Sequence, residues 1–152
     1  MIFGIIVLST SVSLAHGQIV GSAPATTSYD AFTGALAILA CPLGMTALGV
    51  TSLVPFSLGV DGLVAITSLA GGIATAVGLR GTDCSNIYTI YYNNLLNGGM
   101  VEFEGQLVAA LENPQIRSRC SADKANTAFM FLGFVVSVVL LALSFHSYRR
   151  AK

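Results

Sequence analysis

Few side chains in this sequence are spaced for catalysis or metal binding. His16 and His146 fall at the ends of different hydrophobic segments, on opposite membrane faces in the topology derived below, so they cannot share a site. The three cysteines form no CxxC pair and have no histidine at metal-ligand spacing. Glu102 and Glu104 are two residues apart on a predicted helix and therefore point in different directions. We expect a non-enzymatic protein with no cofactor and no bound metal.

Asp61 is the single acidic residue inside a predicted hydrophobic segment, and it has two interpretations. Because a charge within a membrane is costly, such a residue by default indicates a proton relay, an ion relay or a polar contact with a partner. Asp61 also follows Pro55 closely, near the predicted membrane face, where an acidic residue in a first helical turn suits the helix dipole. Transport would need a second polar group at similar depth, and the sequence shows no convincing one.

The composition is that of a membrane protein. Of 152 residues, 54% are hydrophobic and 9% are charged, with seven basic against seven acidic side chains. Soluble domains carry roughly 25% charged residues. The low charge excludes disorder and argues against a soluble globule, and the lack of a basic surplus argues against nucleic acid as a partner.

The hydrophobic residues are gathered into segments long enough to cross a bilayer, which takes about 20 apolar residues. Backbone groups in hydrocarbon must be hydrogen-bonded internally, so helices are expected. The sequence predicts one all-α domain over residues 1–152, a bundle of four transmembrane helices with a long loop at 80–124. The four helices are predicted at about residues 1–20, 31–56, 58–79 and 125–147.

The first segment has three interpretations. The first is a retained transmembrane helix. The second is a cleaved signal peptide, because small residues surround His16 as at a cleavage site, although no basic residue precedes the segment. Alternatively, the chain begins inside a longer first helix.

The long loop contains a second helical pattern. Its apolar residues recur at helical spacing ahead of Asn113-Pro114, which we expect to end the helix. The sequence therefore predicts a short amphipathic helix that lies on the bilayer or covers the bundle. The apolar positions are Met100, Phe103, Leu107 and Leu111.

Cys84 and Cys120 lie near the two ends of this loop, whereas Cys41 is in the middle of a hydrophobic segment. The loop pair forms either a disulfide, which requires an oxidising compartment, or two free thiols. A disulfide favours an extracellular loop and cytosolic termini. Three Lys and Arg residues on the terminal side against four in the loop do not decide the orientation.

Small residues repeat at every fourth position along the third segment, which marks close helix packing in membranes. Such rows serve packing within one bundle or contact with another molecule, and they make this the expected central helix. The two rows are Ser68, Gly72 and Ala76, and Ala70, Ala74 and Gly78.

Two groups of residues carry a family resemblance. The first comprises Asp61-Gly62-Leu63, Gly72, Ala76-Val77-Gly78, Arg80 and Cys84, and the second comprises Arg119-Cys120, Ala125, Ala128-Phe129 and Phe131. In order and spacing these groups resemble fungal MARVEL-domain proteins of the non-classical export family, from about Val60 to Phe145 outside the loop interior. The first two segments match only in spacing and hydrophobicity, and the loop is longer than the family leads us to expect.

The resemblance implies an M-shaped plasma-membrane protein with cytosolic termini. It implies an organiser of eisosome-type microdomains, responsive to sphingolipid and linked to unconventional export. Its partners would be lipids of sphingolipid- or sterol-rich domains, other membrane proteins or further copies of itself. Its expected lipid-headgroup contacts are Arg80, Lys124, Arg149, Arg150 and Lys152. The alternatives are a transporter or channel component that uses Asp61, and an accessory subunit of a larger membrane complex.

Overall fold

A computed structural model describes residues 1–49, 53–103, 105–110 and 113–150. The helices and strands within these residues follow one another in the order α1 (Ile2–His16), α2 (Ala25–Gly49), α3 (Val54–Gly78), α4 (Ile87–Tyr91), β1 (Met100–Phe103), β2 (Gln106–Ala109) and α5 (Asn113–Arg150). The fold is mostly helical, as the sequence predicts.

Helices α1, α2, α3 and α5 form a bundle in which each helix contacts two neighbours. α1 contacts α2, α2 contacts α3, α3 contacts α5, and α5 contacts α1. Gly4 lies against Ala37 while Gly34 lies against Leu8, so α1 and α2 run antiparallel. We call the end of the bundle near the chain termini the terminal side and the opposite end the loop side.

Three of these helices are long and apolar enough to cross a membrane within the described ranges: Ala25–Ala47, Val54–Gly78 and Pro114–His146. α1 has 15 residues, which at 1.5 Å per residue span about 22 Å, less than the roughly 30 Å of a hydrocarbon core. The four-span, M-shaped topology and the three interpretations of the first segment therefore stay predictions.

The helices begin earlier than the sequence predicts. α2 begins at Ala25 rather than at residue 31, and α3 begins at Val54 rather than 58; residues 50–52 lie outside the described part. α5 begins at Asn113 rather than at 125. We expected Pro114 to end a helix, whereas it lies in the first turn of α5, where the missing N–H of proline leaves no hydrogen bond unmade. The 38 residues of α5 extend about 57 Å, longer than the roughly 30 Å of a hydrocarbon core.

The predicted amphipathic helix in the loop is wrong, because β1 and β2 form an antiparallel hairpin there. Gly105, immediately before β2, has a φ of 77°. This left-handed conformation interrupts a right-handed helix and is compatible with a tight turn. Short apolar patterns do not distinguish helix from strand well, and Leu111, the last position of the pattern, lies outside the described residues.

The loop segments have a small core of their own above the bundle. Its buried members are Leu79, Ile90, Leu96, Ile116 and Cys120. The α1–α2 connection joins this layer, since the backbone N–H groups of Ile19 and Val20 both donate to the Gly98 carbonyl, at 2.9 and 3.2 Å. The loop side is therefore covered by packed structure.

Candidate functional site

Buried polar side chains join α1, α2 and α5 in the loop-side half of the bundle. Asn126 is fully buried, and its Oδ1 accepts a hydrogen bond of 2.8 Å from the Thr10 hydroxyl. Its Nδ2 donates to the Ser11 hydroxyl at 3.3 Å and to the Asp30 carboxylate at 3.2 Å. We call Thr10, Ser11, Asp30 and Asn126 the polar layer. One amide thus connects three helices.

Asp30 is a functional candidate that the sequence analysis missed. Its side chain is 1% exposed, and its Oδ1 has no hydrogen-bond partner among the described residues. Gly71 of α3 makes room for it, since a Cβ there would lie 2.9 Å from this oxygen. The predicted second helix begins at residue 31, directly after Asp30, and only the extension of α2 to Ala25 places Asp30 in the bundle. The signal available in the sequence was an acidic residue directly adjoining an apolar run.

Arg119 and Asp123 lie one helical turn apart on α5, between Asn126 and the loop. They are 8% and 4% exposed. The Arg119 guanidinium packs against Gly17 at the end of α1, and its Nε has no partner among the described residues. Asp123 interacts electrostatically with both Arg119 and Asp30. The loop-side end of the bundle thus buries a cluster of ionisable groups, although the sequence assigned Arg119 only to a family motif.

A cavity of about 330 Å³ occupies the terminal half of the bundle, and all four bundle helices line it. Thr33 and Met130 line its loop-side end, one helical turn from Asp30 and Asn126. The polar layer therefore lies directly above the cavity. The remaining lining is mostly glycine, alanine and apolar side chains.

Asp61 lines this cavity together with Ser57 and Ser68, at positions that share one face of α3. Ser57 lies one helical turn before Asp61 and is buried. The first-turn interpretation of Asp61 is wrong, because α3 begins at Val54 and has no acidic residue in its first turn. The structure also supplies polar neighbours that the sequence did not reveal, since Ser137 of α5 lines the same cavity.

Cys84 and Cys120 form a disulfide whose Cα atoms are 5.7 Å apart, while Cys41 is free and half-buried. The bond joins the chain just after α3 to the first turns of α5. Next to Cys84, the Ser85 hydroxyl and backbone N–H donate to the Asp83 carboxylate at 2.5 and 3.0 Å and lower the pKa of Asp83. The predicted pairing is thus present in the loop layer.

The predicted small-residue rows on α3 are divided between the interior and the surface. Ser68 and Gly72 are buried, and Gly72 lies against Phe131 of α5; Ala74 and Gly78 are half-buried, whereas Ala70 and Ala76 are exposed. The packing surface therefore follows one face of α3 rather than both rows. The exposed alanines are available for contact with another molecule, and that role stays a prediction.

The predicted headgroup residues lie at the two ends of the bundle. Arg80, Lys124 and Arg149 are exposed, and the Arg149 guanidinium lies 4.9 Å from the centre of the Phe145 ring. The side chain of Arg150 and the whole of Lys152 lie outside the described residues. Lipid contact by these residues stays a prediction.

Within the described residues, no group of three or more His, Cys, Asp or Glu side chains is placed to hold a metal ion. The interior instead combines two arrangements: a polar layer that connects helices, and a partly apolar cavity with one carboxylate. Such an interior can stabilise a bundle and admit a small guest.

Comparison with known proteins agrees with a membrane fold. No curated protein and no solved structure matched the chain. The family model for MARVEL, described as a membrane-associating domain, matches residues 1–143, which include α1, α2, α3 and most of α5. The chain therefore belongs to the MARVEL family of membrane-associating domains.

Proposed function

We propose that this protein is a non-enzymatic organiser of plasma-membrane microdomains. It spans the membrane four times, with cytosolic termini and an extracellular loop layer. It associates with sphingolipid- or sterol-rich lipid, with other membrane proteins or with further copies of itself, in eisosome-type domains linked to unconventional export. The observation that carries the proposal is the match to a membrane-associating domain over residues 1–143.

The surface of the bundle supports this proposal. The most apolar candidate span lies within α5, and 6% of its most hydrophobic stretch is buried inside the bundle. Its outward side chains include Val135, Val139 and Leu143, which are about half exposed. A surface of this kind is suited to lipid or to neighbouring helices, because exposed apolar area in water would be costly. The disulfide supports an extracellular loop, because such bonds persist in oxidising compartments.

The distribution of a fluorescently tagged protein tests the proposal. We expect patches at the cell periphery that disperse when sphingolipid synthesis is blocked. Ala76→Leu enlarges an exposed residue of the α3 row and should weaken the patches, whereas Ala142→Leu, an equally exposed alanine on α5, should not. A uniform distribution that ignores the block would contradict the proposal.

Orientation is tested by cysteine labelling in intact cells. Tyr88→Cys places a thiol at a residue that is 75% exposed in the loop layer, and Arg149→Cys places one near the carboxyl terminus. An impermeant maleimide should label the Tyr88 variant before permeabilisation and the Arg149 variant only afterwards. The reverse pattern would place the loop in the cytosol.

A transporter or channel component is the second candidate function, and the position of Asp61 on the wall of an interior cavity favours it. Ion or proton flux into liposomes that contain the purified protein, lost in Asp61→Asn and retained in Asp83→Asn, would support this candidate. Such flux would show that the protein does more than organise membrane domains.

A further inference from the structure

The cavity in the terminal half of the bundle has the size of a ligand site. Its volume is about 330 Å³, whereas one water molecule occupies roughly 30 Å³ of liquid and small-molecule pockets begin near 300 Å³. Empty volume of this size in a helix bundle is destabilising, because the side chains around it lose their packing contacts. A guest that fills the cavity would restore those contacts.

The lining residues on α3 indicate how far the cavity extends along the bundle. On α3 its lining runs through Ser57, Asp61, Val64 and Ser68, which recur at intervals of three and four residues along one helix face. From the level of Asp61 to that of Ser68 the cavity extends about 10 Å along the helix axis. At its loop-side end lie Thr33 and Met130, one helical turn from the polar layer. A single alkyl chain of medium length matches this extent, and the lining comes from all four bundle helices, with most of its residues on α2 and α5.

The Asp61 carboxylate in the cavity lining determines which polar group a bound ligand should carry. Asp61 is the one acidic side chain in the lining, and no Lys, Arg or His side chain among the described residues lines the cavity with it. A carboxylate offers about four acceptor positions, and Ser57 and Ser68 line the cavity on the same face of α3 as Asp61. Because an unpaired carboxylate in apolar surroundings is unfavourable, the complementary group is a cation with several N–H donors.

We propose that the cavity binds a single-chain alkyl amine. Its ammonium group donates to the Asp61 carboxylate, and its chain extends along the α3 face towards Ser68 and Met130. This inference goes beyond the membrane-organising role and does not depend on it, since binding can be measured on purified protein whether or not the protein forms patches in cells.

The test uses the full chain in nanodiscs of neutral phosphatidylcholine and three probes with the same medium-length chain, each carrying a terminal diazirine. One probe ends in an amine, one in an alcohol and one in a carboxylate. After irradiation, adducts are mapped by mass spectrometry. The amine probe should label cavity-lining peptides of α5 several-fold more than the alcohol, because charge-assisted hydrogen bonds are about twice as strong as neutral ones.

Three variants make the test specific. Asp61→Asn, which removes the charge and preserves the shape, should reduce labelling by the amine probe to the level of the alcohol. Gly133→Leu should abolish labelling, because a Cβ at Gly133 meets only the Ser68 hydroxyl, at 3.9 Å, and the rest of the side chain extends into the cavity. Gly59→Leu, the same change at an exposed glycine of α3 with no neighbour within 4 Å, should leave labelling unchanged.

Equal labelling by the amine and the alcohol would overturn the proposal, and so would unchanged labelling in Asp61→Asn. Retention of the non-reduced gel mobility conferred by the Cys84–Cys120 disulfide, with a monodisperse elution profile, shows that Gly133→Leu is folded. Should that variant fail to fold, the isosteric Asp61→Asn variant decides the question alone.

Discussion

Replacing Asn126 by leucine tests whether the polar layer holds three helices of the bundle together. The substitution keeps a side chain of similar size in a fully buried position and removes every hydrogen bond that the amide makes. Those bonds join Asn126 to Thr10, Ser11 and Asp30 at 2.8, 3.3 and 3.2 Å. We expect α1 and α2 to lose their polar attachment to α5.

The magnitude follows from these contacts. Hydrogen bonds between membrane helices average about 0.6 kcal/mol each, so the loss of three costs about 2 kcal/mol. Asp30 would in addition lose the described partner of its Oδ2, and its Oδ1 has none among the described residues. Leaving a buried polar group unsatisfied costs about 1–3 kcal/mol. The unfolding free energy of Asn126→Leu should therefore fall by about 3–5 kcal/mol.

The assay is equilibrium unfolding of the purified protein in mixed micelles with increasing mole fraction of sodium dodecyl sulfate, followed by far-UV circular dichroism. Thr127→Val is the matched control, because the Thr127 hydroxyl donates to the Asp123 carbonyl of its own helix, at 2.9 Å. It should change the unfolding free energy by no more than about 0.5 kcal/mol.

A double variant separates the two contributions to the loss of unfolding free energy, which are the lost hydrogen bonds and the unsatisfied Asp30 carboxylate. Asp30→Leu combined with Asn126→Leu removes the unsatisfied carboxylate as well as its partner, so the double variant should be more stable than Asn126→Leu alone. An unfolding free energy of Asn126→Leu within about 0.5 kcal/mol of wild type would contradict this prediction, and so would additive destabilisation by the two substitutions.

Three further predictions concern the loop layer and the α1–α2 contact. Cys84→Ser should lower the unfolding free energy by about 4 kcal/mol, because the disulfide joins residues 36 positions apart and its loss restores the loop entropy of the unfolded chain. The variant should also lose the gel-mobility shift seen on reduction. An unchanged shift would contradict the pairing. Gly34→Ala should separate α1 from α2, because its Cβ would lie 2.6 Å from a backbone nitrogen of α1, whereas Gly44→Ala, with nothing within 4 Å, should unfold like wild type. Ser85→Ala should raise the pKa of Asp83 towards its ordinary value, which NMR titration of the carboxyl group in both proteins measures. Because the pKa of Asp83 is lower in the folded state than in the unfolded state, Asp83 stabilises the loop above its unfolded-state pKa. That stabilisation is lost as the pH falls through the folded-state pKa.

Composition and hydrophobic segments were sufficient to predict a helical membrane protein. Long apolar runs exclude other folds because every backbone group in hydrocarbon needs an internal partner. Cysteine spacing likewise indicated the Cys84–Cys120 pair, since a loop that joins two neighbouring helices brings its ends together. These features depend on local composition and on connectivity.

Helix limits and the hairpin were less accessible to sequence reasoning. The sequence predicts the second helix from residue 31 and a helix end at Pro114, whereas α2 begins at Ala25 and Pro114 lies in the first turn of α5. The β1–β2 hairpin depends on the left-handed Gly105, and an apolar spacing compatible with a helix concealed it.

Composition, hydrophobic segments and cysteine positions are enough to predict a low-charge helical membrane protein with a cysteine-bridged loop. Which polar residues meet inside the bundle depends on how its helices pack. Asp30 and Asn126 are 96 residues apart and become partners because α2 and α5 pack in one bundle. Asp61 faces a cavity that all four bundle helices line. The pairing of distant groups and the volume left between helices are properties of packing, which no local pattern of residues encodes.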